Sequence, residues 1–95
     1  MPRFEKVGYI GVDSGQVMLI DPCYIKKDFE SEFGAKPDLN YAGACEVTLS
    51  QDGCGNFGGD GMAFATRTAF GDGTYPVYVK RDSHGAIIEM KIKFV

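Results

Sequence analysis

Histidine is nearly missing from this chain: His84 is the only one, and the three cysteines, Cys23, Cys45 and Cys54, form no CxxC pair. Thiol or serine catalysis needs a base beside the nucleophile, and a structural zinc site needs ligands paired at short spacing. Neither pattern is spelled here, so no cofactor is expected. The odd cysteine count speaks against a disulfide framework and for three free thiols in a reducing compartment. No apolar run approaches the ~20 residues that span a bilayer. The opening "MPRFEKVGYI" has no apolar signal-peptide core, and the expected location is therefore cytoplasmic, in a bacterium or a phage-infected cell. Basic excess is lacking too. Ten Lys and Arg stand against 13 Asp and Glu, a net charge of −3, which is no strong nucleic-acid signal.

What is present is a globular composition. The chain has 95 residues, 44% hydrophobic and 24% charged, which suits one β-rich domain over residues 1–95. Its 13 glycines sit between apolar runs, as turns do in a chain of short strands. In "AIIEMKIKFV", Ile88, Met90, Ile92 and Phe94 fall on one face, with Glu89, Lys91 and Lys93 on the other; this is the alternation of a half-buried strand. "TYPVYVKR" alternates likewise, and "DSHG" between them is rich in turn formers. Residues 74–94 are thus expected to form a β-hairpin.

Further strands are read in "KVGYIGV", "QVMLI", "ACEVTLS" and "GMAFATRTAF". The first two flank "DSG" and suggest a second hairpin. Val17 to Ile20 is apolar on both faces, which suggests a central strand. In "GMAFATRTAF" the face with Ala63, Ala65 and Ala69 is small enough for another element to approach closely. Pro76 has no amide proton, so its strand is expected at an edge, or paired only beyond that point. One helix is expected over Pro22 to Phe33, with Asp21 as N-cap, Pro22 at the first position, Gly34 past the end, and Ile25, Phe29 and Phe33 as an apolar stripe. The sum is a mainly β (α+β) fold: a compact antiparallel sheet, small sandwich or partly closed barrel, with one short helix.

Two segments carry a family resemblance. "VDSGQVMLIDPCY" supplies Val12, Asp13, Gly15 and Asp21; "FGDGTYPVYV" supplies Gly71, Asp72, Gly73, Tyr75, Pro76 and Tyr78. Together they resemble a group of bacterial and phage proteins of uncharacterised function, the DUF4241-like proteins. The resemblance implies a small β-rich domain and no particular activity.

Candidate chemistry follows from a few side chains. Gly71-Asp72-Gly73 has the composition of a hairpin turn, and Asp21 that of a helix cap. Alternatively Asp13, Asp21 and Asp72, with Tyr75 and Tyr78, surround one ligand pocket, where hard carboxylate oxygens would suit Ca²⁺ or Mg²⁺. Cys23, in the first turn of the expected helix, is the candidate reactive thiol. His84 reads as a solvated turn residue. Phe57, in the glycine-rich loop "QDGCGNFGGDG", is either an exposed partner contact or a core residue. Lys80, Lys91 and Lys93 are expected on one face of the last hairpin beside Tyr78, where an anion, a nucleotide or an acidic partner would find them.

Three functions remain open at this point. The first is a non-enzymatic binding or interaction protein with a protein partner, an accessory factor. The second is a small-molecule or metal-binding domain using the carboxylate and tyrosine pocket. The third is a small hydrolase or thiol enzyme.

Overall fold

The computed structural model describes residues 2–25 and 38–95. Its elements in chain order are β1 (Phe4–Val12), β2 (Gln16–Leu19), a 3-10 turn (Pro22–Tyr24), α1 (Tyr41–Thr48), β3 (Cys54–Phe57), β4 (Ala63–Arg67), β5 (Gly73–Arg81) and β6 (Ile87–Ile92). The fold is mainly β: two antiparallel three-stranded sheets, in the orders β1-β5-β6 and β2-β4-β3. The sheets fall into two compact units. Unit 1 is Met1–Gly15 with Ala69–Val95, and unit 2 is Gln16–Thr68.

Unit 2 is a helix on a sheet. Ala63 and Ala65 of β4 are almost completely buried and cluster with Leu39, Ala44 and Phe57. The small face of β4 is thus the core face, because a helix can lie close only where side chains are short. Burying Leu39 and Phe57 contributes about 1.5–3 kcal/mol each. The large face is the open one, and Phe64 is exposed.

Helix α1 replaces the strand expected at "ACEVTLS". Asn40 is extended and its Oδ1 accepts from the Gly43 amide at 2.9 Å, a cap that contributes about 1 kcal/mol. The alternation of Cys45, Val47 and Leu49 is not used: Leu49 is 82% exposed, while Ala44 and Thr48, four residues apart, are buried. Nor is "QDGCGNFGGDG" a loop throughout, since Cys54–Phe57 forms β3 on the flank of β4.

Unit 1 contains the expected hairpin. β5 pairs with β6, and the Asp82 carboxylate closes the turn by accepting from the His84 and Ala86 amides. β5 is nevertheless the central strand, despite Pro76. A residue's N–H and C=O point to the same side of a strand, and the Pro76 carbonyl accepts from Lys93 N at 3.3 Å. The donor that Pro76 lacks would therefore face β6, where the paired register begins only at Val77.

Other expectations about partners are corrected. β1 and β2 do not form a hairpin: β1 pairs with β5 and β2 with β4. The apolar run of β2 lies on an edge, not at the centre. Gly71-Asp72-Gly73 is not a hairpin turn, because β4 and β5 belong to different sheets. Asp72 also lacks the positive φ that a type I′ turn requires at both central positions. The helix expected from Pro22 closes after one turn. Asp21 caps it through Cys23 N, but Ile25 is already extended, with φ −66° and ψ 125°. The expected stretch from 26 to 33 lies outside the described residues.

Candidate functional site

The most organised set of functional side chains lies on one face of the unit 1 sheet. Residues directly opposite on antiparallel strands share a face. Phe4 pairs with Lys80 and Lys80 with Glu89; Lys6 pairs with Tyr78 and Tyr78 with Lys91; Tyr9 pairs with Pro76, whose carbonyl takes the Lys93 amide. The rows read Phe4-Lys80-Glu89, Lys6-Tyr78-Lys91 and Tyr9-Pro76-Lys93. A bulge in β1 between Lys6 and Gly8 makes this possible. Tyr9 lies three residues after Lys6, and strict alternation with Val7 not bulged out would put it on the opposite face.

The rows are fixed by specific contacts. Lys80 Nζ lies 4.6 Å and Lys91 Nζ 3.9 Å from the centre of the Phe4 ring, and Lys91 Nζ lies 5.5 Å from that of Tyr78. Each such contact contributes about 0.5–1 kcal/mol at an exposed site. Lys80 also pairs with Glu89 at 3.2 Å, with its stem largely covered. No carboxylate among the described residues pairs with Lys6, Lys91 or Lys93. The face therefore carries four lysines against one glutamate, in a chain whose net charge is −3.

The proposed carboxylate and tyrosine pocket is distributed differently. Asp72 Oδ1 accepts from Gly15 N at 2.8 Å, tying two loops of unit 1 together. Gly15 and Gly71 both have positive φ there, and a Cβ on Gly15 would lie 3.9 Å from Gly71 Cα. Tyr75 is buried, donates its hydroxyl to Gly71 O at 2.7 Å and meets the Phe94 ring edge-on at 5.5 Å. Tyr78, three residues on, projects from the opposite face of β5 with the lysines. Asp13 is exposed at the end of β1. Asp21 belongs to unit 2, where it caps the 3-10 turn. Among the described residues, no three His, Cys, Asp or Glu side chains gather as a metal site would require.

The remaining candidates have local roles. Phe57 is buried in the unit 2 core. Cys23 is exposed, and the three-residue turn that holds it is no multi-turn helix to act on its thiol. His84 is exposed in the β5–β6 turn. All three cysteines are free. Cys45 belongs to a polar chain that sequence reading missed: Thr48 Oγ1 donates to Gln16 Oε1 at 2.6 Å, and Gln16 Nε2 donates to Cys45 Sγ at 3.2 Å. A hydrogen bond to Cys45, and then its charge, raise the pKa of Tyr41 above the ordinary 10.0, with burial adding to the rise. Unit 2 also holds a concavity of about 380 Å³ between Asp38, Glu46, Val47 and Phe57.

Phe4, Lys6 and Tyr9 were also missed as members of the lysine face. The signal available was the alternation "FEK" at the start of β1, but its register against β5 depends on the bulge.

The family described as "Protein of unknown function (DUF4241)" matches residues 5–92. No curated protein and no solved structure matches the chain.

Proposed function

The chain belongs to the DUF4241 family, and from that premise we propose that it is a non-enzymatic interaction module whose contact surface is the lysine and aromatic face of the β1-β5-β6 sheet. The partner is a protein with an acidic surface. One observation carries the reading: two ammonium groups converge on the Phe4 ring while two further lysines lie in the other rows of the same face. Holding ammonium groups at set positions lowers the ordering cost of meeting carboxylates. The lysines cover the Phe4 ring that a nucleobase would stack on, which favours carboxylates over single-stranded nucleic acid. Clustered charge of this kind acts mainly on association rate and partner choice.

The test is retention on immobilised poly-glutamate at low salt, with single-stranded DNA as a parallel matrix. A protein of net charge −3 with no organised face is repelled by poly-glutamate. Retention of the wild type, its loss in Lys80→Glu/Lys91→Glu, and elution by moderate salt are expected. An unretained wild type, or a charge-reversed variant that binds as well, rules the reading out. Stronger binding to DNA would replace the acidic protein with a nucleic acid.

A further inference from the structure

β6 is an open edge. It has β5 on one side and, among the described residues, no strand on the other. It is exposed at every position except Ile92, and Ile87, Ile88 and Met90 are each more than half exposed. The Lys93 amide points to β5; by the two-residue period of a strand, Glu89 and Lys91 point their backbone groups the same way. The N–H and C=O groups of Met90 and Ile92 therefore face outward, a template for another strand; the regular alternation stops at Glu89, where a bulge takes in Ile88.

We propose that this edge pairs with β6 of a second copy of the chain, antiparallel and centred on Met90. The side-chain order selects both partner and register. Two copies related by a two-fold axis through Met90 place Glu89 opposite Lys91 of the second copy and Lys91 opposite its Glu89. Met90 then faces Met90 on the apolar side. The same register makes the two Met90 residues a hydrogen-bonded pair, as their outward backbone groups require. A register centred on Ile88 would run through the bulge, and three others fail on charge. Centring on Lys91 opposes two ammonium groups, centring on Glu89 opposes two carboxylates, and centring on Ile92 opposes Lys91 with Lys93. Lys80 engages Oε1 of Glu89, so Oε2 is available to a second ammonium. Like-charge pairs directly across strands are destabilising, and opposite pairs are favourable. The axis stands perpendicular to the sheet, so the lysine faces of both copies lie on the same side. The dimer does not depend on what that face binds.

Sedimentation equilibrium of the full chain tests the pairing. The wild type is expected to dimerise reversibly. Glu89→Lys and Lys91→Glu, each creating two like-charge oppositions, should weaken the dimer about tenfold or more, and the double variant should recover most of that loss. Met90→Pro removes an outward donor without touching the ladder to β5 and should leave a folded monomer. Should that variant fail to fold, the charge exchange decides by itself. A wild type that stays monomeric at high concentration overturns the proposal. So does a dimer that the single charge variants leave intact, or one that the double variant fails to restore.

Discussion

The two units dispose of apolar surface in opposite ways. In unit 2, short side chains on β4 bring α1 close, and Leu39, Ala44 and Phe57 close over them. In unit 1, Val12, Tyr75 and Val79 are buried, but β6 leaves Ile87, Ile88 and Met90 open, and the opposite face is taken up by lysines and aromatic rings. The contrast is one of tolerance. Unit 2 depends on close approach, so one added methyl group matters. Unit 1 depends on ties between loops and on rows of charged side chains, which are individually weak and chemically readable.

Gly43→Ala should break the contrast most sharply. In the middle of an ordinary helix this change stabilises by about 1 kcal/mol. Here the new Cβ would meet the Asp38 carbonyl oxygen and lie 2.9 Å from Phe57 Cδ2. The expected outcome is a loss of about 3 kcal/mol, seen in urea denaturation, with amide exchange accelerating in β3 and β4 more than in β1 and β5. Stabilisation instead would mean that the helix does not lie so close.

In unit 1 the matching change is Asp72→Ala, which leaves the Gly15 amide without its acceptor. The group is exposed and water can replace the bond, so about 1 kcal/mol is expected. Asp72→Asn keeps an acceptor oxygen and should cost less. Equal losses in the two variants would show that the carboxylate charge, rather than the hydrogen bond, holds the loops.

The smallest effect belongs to Tyr41. Its raised pKa comes first from the hydrogen bond to Cys45. A raised value favours the neutral phenol in the folded state. Its stabilising contribution is therefore complete below the unfolded phenol value and is lost as pH rises through the folded one, a window lying above pH 10.0. Phenolate absorbance should show one tyrosine titrating late, and Cys45→Ala should bring it back towards the ordinary value. An unchanged titration in that variant would remove Cys45 as the cause.

The β5–β6 hairpin was legible because everything it needs is local: alternation on both strands and an Asp82 carboxylate that closes the turn by accepting from the His84 and Ala86 amides. The Ala face of β4 was legible for the same reason. α1 was misread because Cys45, Val47 and Leu49 alternate by chance, while the decisive cap, Asn40, lies outside that window. The candidate site was half visible. Lys80, Lys91, Lys93 and Tyr78 share one hairpin, whereas Phe4, Lys6 and Tyr9 reach their face only through a long-range register shifted by a bulge.

Gly71-Asp72-Gly73 shows where local information stops. Its composition makes a bend, and Gly71 and Gly73 do take positive φ. Whether that bend closes a hairpin depends on which strands pair, and β5 pairs with β1, far away in the chain, rather than with β4. Spacing along the chain settles φ preferences, caps and which residues share a strand face, since these are short-range steric and hydrogen-bonding matters. The choice of pairing partners belongs to the folded chain as a whole, because backbone hydrogen bonds are alike everywhere and only the packing of whole faces tells one strand from another.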